Sequence, residues 1–263
     1  MSFTAPVTDS PTPRLGVLGC GNIAEILARH NLNIEVVAVY DRHSERAEHL
    51  ASVWDATVCQ NFAEFIGHDM DTVVEIASIE AVEDHAGEIL QHGKNLILLS
   101  VGALADEQLR SRLIETAKQY NCTIRVPSGA LFGLDNIKIG RISGFRKLVL
   151  RTTKPPAVLG VQTDSRQCLF TGPARECIRR YPKNVNVAVA LSLAAGQEAM
   201  VELWADPALK QNHHEILVTG EFGKGEIKIS NLPSPENPAT SYLAALSLIT
   251  LLNDLGNVLQ IGT

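Results

Sequence analysis

An apolar run, Leu15 to Leu18, opens directly into Gly19-Cys20-Gly21-Asn22-Ile23-Ala24, and a helical stretch follows to Ala28. This order of strand, glycine turn and helix constrains the chain more than any other feature. In a GxGxxA turn the first glycine permits the sharp bend and the second lets backbone approach a pyrophosphate. The small third residue lets the helix pack on the strand, and the helix N-terminus faces the negative charge. Asp41 lies twenty residues past Gly21, at the end of a second, β-branched run from Ile34 to Tyr40. A carboxylate there reaches the adenosine ribose hydroxyls of a dinucleotide. Arg42 and His43 follow it and suit a 2′-phosphate. The pattern therefore predicts Gly19, Gly21, Asn22, Ile23, Asp41 and Arg42 as contacts to NAD or NADP, with the carboxylate favouring NAD.

The rest of the first half repeats the alternation. Thr72 to Glu75, Asn95 to Leu99 and Thr123 to Val126 read as strands, with helices near Ala81 to Gln91 and Glu107 to Tyr120 between them. Ser44 reads as an N-cap and Gly93 as a helix C-terminal glycine. Runs apolar throughout, such as Leu96 to Leu99, suit strands buried on both faces. The expected fold is α/β, a Rossmann-type doubly wound parallel sheet. After Pro127 the texture changes. Lys147 to Thr152 reads as a strand, and Pro173 to Arg180 and Val187 to Ala195 as helices. Ala199 to Trp204, Glu215 to Thr219 and Glu226 to Ile229 read as strands, the last two joined by a glycine-rich hairpin. That predicts a smaller α+β domain with a mixed or antiparallel sheet. The expected boundaries are a loose tail over 1–13, a dinucleotide-binding domain over 14–127 and a substrate domain over 128–236. A final helix over 237–256, capped by Asn237, packs back on the first domain.

Composition excludes several classes. A net charge of −6 argues against a general nucleic-acid binder, which needs a basic face. No apolar run reaches the roughly 18 residues of a membrane span. The tail lacks the basic start and apolar stretch of a signal peptide. The five cysteines are scattered with no CxxC pair, so neither a disulfide framework nor a metal site is expected, and a cytoplasmic setting fits.

The later motifs resemble the L-aspartate dehydrogenase family. The resemblance is carried by LGCGNI (18–23), SVGALAD (100–106), PSGA (127–130), KPP (154–156), PKNVNV (182–187) and NHHEI (212–216), in that order. It implies an NAD(P)-dependent amino-acid dehydrogenase that oxidises L-aspartate to iminosuccinate or oxaloacetate with release of ammonia, or runs the reductive amination. A link to NAD biosynthesis and a homodimer are also implied. His214 matches the family's catalytic histidine, and Ala130 and Asn184 match its cofactor contacts. PSGA is followed here by Leu131-Phe132-Gly133 where the family usually has Ile-Gly-Gly.

The chemistry is consistent with these positions. A group titrating near neutrality suits proton removal from an amine or water, and histidine is the usual choice. His213 competes with His214, but strand alternation sends the two to opposite faces. Lys154 and Lys183 are the candidate cations for the substrate carboxylates, and Asn212 the candidate loop-positioning amide. Asn186 is the better helix cap, which frees Asn184 for a ligand. Ser128-Gly129-Ala130 and Gly102 follow parallel strands at their carboxyl ends, where ligands bind. Two other enzyme classes share this architecture. A dihydrodipicolinate-reductase-like protein would carry Lys-x-Asp-x-Pro-Ser-Gly after the paired histidines, and a sugar or inositol dehydrogenase would carry Glu-Lys-Pro after the fifth strand. Neither segment is present. A non-enzymatic NAD(H)-sensing module would bind dinucleotide without turnover.

Overall fold

The computed structural model describes residues 12–181, 185–234, 241–255, 257, 259 and 261. The chain divides into two compact units: Met1–Pro127 with Ala245–Ile261, and Ser128–Ala244 with Gly262–Thr263.

The first unit alternates strand and helix: β1 (Arg14–Leu18), α1 (Asn22–Ala28), β2 (Glu35–Tyr40), α2 (Ser44–Trp54), β3 (Thr57–Val58), α3 (Phe62–Gly67), β4 (Thr72–Glu75), α4 (Ile79–Gln91), β5 (Asn95–Leu98), α5 (Glu107–Gln119) and β6 (Ile124–Arg125). A short 3-10 helix, Val101–Ala105, follows β5. Among the described residues the sheet has six strands in the order β3-β2-β1-β4-β5-β6, and every pairing is parallel. Consecutive residues such as Val73-Val74 and Leu96-Ile97 are fully buried, because helices cover both faces of a parallel sheet. Polar groups are thereby confined to the strand ends. Ser44 is the first residue of α2, not its cap; His43 occupies that position with no side-chain bond. Asn61, Ser78 and Asp106 do cap, each accepting an amide from the first turn of α3, α4 and α5. Gly93 stands just past the end of α4 with φ +70°, as read from the sequence.

The second unit contains α6 (Leu134–Ile137), α7 (Gly140–Ser143), β7 (Lys147–Lys154), α8 (Pro156–Leu159), β8 (Gln167–Pro173), α9 (Ala174–Arg180), α10 (Val185–Ala195), β9 (Met200–Ala205), β10 (Asn212–Gly220) and β11 (Gly223–Asn231). Its sheet runs β11-β10-β7-β9-β8, parallel only between β7 and β9, hence mixed. Strand β8 was not foreseen, and Pro173 ends it rather than starting α9. The β10–β11 strands are longer than expected, and only Glu221 and Phe222 separate the Gly220–Gly223 pair. Asn186 lies inside α10, after Val185, so it is not the cap. The last helix, α11, spans Tyr242–Asn253; Asn237, its expected cap, lies outside the described residues.

One face of this second sheet is apolar. Leu148 and Leu150 on β7, Ile216 on β10, Ile229 on β11 and Val201 and Leu203 on β9 form a core with Leu191 of α10. Leu150 is fully buried at its centre. Leu150→Ala is expected to destabilise the protein by about 2–5 kcal/mol, through lost transfer energy and the cavity left behind. Urea unfolding of the two proteins measures this.

Candidate active site

The carboxyl ends of β1, β2 and β4 enclose a pocket of about 280 Å³. Gly19, Gly21, Asp41 and Arg42 line it together, with His43, Arg46, Ser78 and Glu80. Gly19 has φ +102°, and a Cβ there would sit 2.7 Å from the Ala77 backbone, so only glycine fits. Its amide donates to the Tyr40 carbonyl at 2.9 Å, which ties the turn to the end of β2. Gly21 differs: a Cβ there would meet nothing within 4 Å. The protein's own packing therefore does not require glycine at position 21.

Asp41 is fastened on both sides. One carboxylate oxygen accepts the Cys20 amide at 2.6 Å and the other the His43 amide at 2.8 Å. Each oxygen retains a lone pair for a ribose hydroxyl. The carboxylate therefore holds the glycine turn against β2 and faces the pocket at once. Asn22 and Ile23 form the first turn of α1, outside the pocket lining, and Gly102 is buried within the 3-10 helix, also outside it.

Glu75, the last residue of β4, belongs to none of the sequence motifs. It is 1% exposed. Its carboxylate accepts the amides of Ala77 at 2.8 Å and Ser78 at 3.0 Å, and the amide and hydroxyl of Ser100 at 3.0 and 2.8 Å. Burial raises its pKa, and these four bonds oppose the rise. Glu75 thus joins the loops after β4 and β5, and the first of these, Ala77-Ser78, is a wall of the pocket. The available signal was an acid closing an otherwise apolar strand.

The second unit builds its own polar site. Directly paired residues of adjacent strands point to the same side, and alternate residues share a face. The apolar face described above therefore continues into two polar rows. In the first, Thr152 of β7 pairs with His214 of β10, flanked by Leu203 and Ile229. In the second, Asn212 pairs with Asn231, and Lys154 ends β7 opposite Ala205. The Thr152 hydroxyl lies 2.9 Å from His214 Nδ1. His214 is 3% exposed, and burial, with Lys154 and His213 nearby, lowers its pKa to about 3. Its imidazole is neutral near pH 7. His213 pairs with Thr153 and Ser230 on the opposite face.

Asn231 was also missed. It is buried, and its side-chain amide donates to the Ala130 carbonyl at 2.9 Å. The Ser128-Gly129-Ala130 segment is thereby anchored to the end of β11, beside the histidine row. Lys154 is half-buried and interacts with His214 and with the Cys177 thiol of α9. Burial lowers its pKa to about 8. Lys183 and Asn184 lie outside the described residues. No group of three or more metal-ligating side chains occurs among the described residues, and no helix there is long and apolar enough to cross a membrane.

Residues 135–255 match the family profile "Aspartate dehydrogenase, C-terminal", and residues 15–127 match "Homoserine dehydrogenase, NAD binding domain". The L-aspartate dehydrogenase of Methanospirillum hungatei is 49% identical over 250 residues, covering 95% of this chain and 99% of that protein. That of Methanothermobacter thermautotrophicus is 42% identical over 253 residues, covering 95% and 98%. The chain belongs to the aspartate dehydrogenase family. The crystal structure of aspartate dehydrogenase from Thermotoga maritima superposes with a TM-score of 0.81 at 29% identity, covering 96% of this chain and all of that one. Apo scyllo-inositol dehydrogenase from Lactobacillus casei shares the fold alone, at 16% identity and a TM-score of 0.59, covering 95% and 90%. The protein is an NAD(P)-dependent amino-acid dehydrogenase, and the pocket around Gly19, Gly21 and Asp41 fits that dinucleotide.

Two outcomes are expected. Gly21→Ala folds with an unchanged melting temperature and weakens NADH binding at least about tenfold, since the new methyl occupies the space kept for the ligand. Gly19→Ala lowers the melting temperature as well, because Ala77 backbone must move. Fluorescence titration and thermal melts separate the two. For His214, the unfolded imidazole titrates near 6.5 and the folded one at about 3. Between those values the unfolded chain binds the extra proton. The contribution is whole above pH 6.5 and is lost as pH falls toward 3. Roughly 2 kcal/mol is lost by pH 5. Urea titrations at pH 7 and 5 show this slope, and His214→Gln flattens it.

Proposed function

We propose that this protein is an L-aspartate dehydrogenase, converting L-aspartate to iminosuccinate, which water carries on to oxaloacetate and ammonia, or running the reductive amination in reverse. The observation that carries the reading is His214, buried and held by Thr152 at the polar end of the second sheet, in a chain nearly half identical to an L-aspartate dehydrogenase. When bound, NAD or NADP supplies the hydride acceptor. Residues 14–127 form the dinucleotide-binding domain, with side-chain and backbone contacts from Gly19, Gly21, Asp41 and Arg42; Asn22, Ile23 and Gly102, outside the pocket lining, contact the dinucleotide only where it extends beyond that pocket. Residues 128–236 form the substrate domain, to which Ala130 and Asn184 add cofactor contacts.

Burial takes the His214 imidazole from the near-neutral range expected of it down to about 3, so in this site it stays neutral and its Nε2 takes a proton from the water that attacks the imine carbon only as that attack develops. Thr152 fixes the ring's orientation through Nδ1, so the accepting nitrogen is aimed rather than rotating. Leu203, Ile216 and Ile229 keep bulk water from the imidazole. Aspartate carries two carboxylates; Lys183, and Lys154 once it is protonated, supply cationic partners, and Asn212 supplies an amide. The family resemblance supports a cytoplasmic homodimer whose product feeds pyridine-nucleotide synthesis.

The test is an assay with L-aspartate and each dinucleotide at pH near 9, followed at 340 nm. Wild-type protein reduces the cofactor. His214→Ala loses 100-fold or more in kcat, on the order expected for a general base, and keeps its NADH affinity. Full activity of that variant refutes the histidine assignment, and NADH binding without turnover of any amino acid favours a sensing module.

A further inference from the structure

The polar end of the second sheet holds two bases, and the histidine has one proton task. An amino acid arrives as an ammonium, which must lose a proton before its nitrogen can form a double bond to Cα. We propose that Lys154, and not His214, is the group that accepts this ammonium proton. The inference rests on the amino-acid dehydrogenase reading above and assigns one step within it.

Position comes first. Lys154 ends β7 two residues after Thr152, so both side chains leave the same face of the sheet as His214. His214 is committed to Thr152 and 3% exposed, whereas Lys154 is half-buried and closer to solvent along the same strand direction. Lys154 is thus the more accessible of the two bases. The surroundings of the amine come second. Among the described residues no carboxylate pairs with Lys154. The ionisable groups that interact with it are the Cys177 thiol from α9 and the His214 imidazole from β10; its β9 partner is Ala205. Cys177 is 2% exposed, and burial pushes its thiol up to about 11, so it is uncharged and supplies no counter-ion near neutrality. An ammonium left half-buried without an anion is disfavoured, and the amine titrates at about 8. It is a free base in the mildly alkaline range where amine oxidation is favourable.

The step balances. The substrate N–H bond breaks, its proton bonds to the Lys154 lone pair, and the substrate nitrogen keeps the electron pair that C=N formation needs. Lys154 becomes a cation next to a substrate that brings two carboxylates. Binding thus supplies anions that the described side chains around Lys154 do not, which stabilises the protonated lysine and drives the transfer. His214 stays neutral and available for water.

The experiment compares wild type, K154R and K154M by the pH profile of kcat/KM for L-aspartate, by NADH titration, and by amine rescue with methylamine. Acetylation of Lys154 in the wild-type enzyme, read by peptide mass spectrometry across pH, reports its titration without turnover. The expected result is a wild-type rising limb whose midpoint matches the acetylation midpoint near pH 8. Both variants bind NADH as wild type does and lose 100-fold or more in kcat/KM. Methylamine restores K154M activity in proportion to its free-base concentration. K154R within threefold of wild type shows that only the charge matters and overturns the proposal. So does a K154M profile that keeps the rising limb, or an inactive K154M that methylamine does not restore. Wild-type turnover of L-aspartate is a separate readout, so failure of the substrate reading is distinguishable from failure of this step.

Discussion

A single buried carboxylate organises the binding edge of the first unit. Helices seal both faces of the parallel sheet, so its strands have no room for polar side chains except at their ends. Glu75 stands at such an end, and four donors converge on it from the loops after β4 and β5. Burying a carboxylate is costly unless its oxygens are hydrogen-bonded, and a buried acceptor left unmade costs more than the bond gains. The bonds are therefore mutually enforcing: the loops hold the charge, and the charge fixes the loops. Asp41 repeats the device two strands away, across β1, with both oxygens on backbone amides of the turns flanking it. The glycine turn, Ala77-Ser78 and the loop at Arg42 are thus pinned by two acids before any ligand arrives. Pre-organisation of this kind reduces the ordering that binding must otherwise supply.

The second unit reaches a polar site by another route. Its sheet buries one apolar face against helices, and the register simply runs past the leucines into Thr152, His214, Asn212 and Asn231. Because each polar residue is opposite another in the ladder, the hydrophobic packing that sets the register also sets the site. Shifting β10 by one residue against β7 would bring His213 to the inner face and turn His214 outward. The opposite face adds a constraint on register: Arg151 bonds Glu202 of β9 at 2.7 Å and Glu215 of β10 at 2.8 Å. These pairs tie three adjacent strands, and a slip would separate them.

What was legible in the sequence divides along this line. Local signals were readable: the glycine turn, the period of the helices, the all-apolar strands and the histidine motif. Asp41 was readable because its distance from the turn is nearly constant in such folds. Glu75 was not, because its partners at Ser100 lie 25 residues away and depend on which strands become neighbours. Asn231 is a stronger case, since its partner Ala130 is 101 residues away. Thr152 looked like any β-branched strand residue until the β7–β10 register placed it against His214. Strand β8 was missed because Gln167–Pro173 carries glycine and proline and alternates poorly; it pairs only with β9, at the sheet edge, where proline is tolerated. Ser44 and Asn186 were misread as caps because composition locates a helix start only to within a residue or two.

The two bases of the second unit show why such a site needs both burial and an open side. Removing water from an imidazole disfavours its cation, and a neighbouring lysine disfavours it further. A fully enclosed lysine beside it would be equally neutral but would have no path for a proton from an arriving substrate. A fully exposed one would carry its proton throughout and accept none. Lys154 sits between these limits at the end of its strand, where the apolar core gives way to solvent over two residues. Along this face of β7 the side chains pass from Leu148 and Leu150 through Thr152 to Lys154, and burial falls at the last of them, which is what leaves the amine partly open while lowering its pKa to about 8.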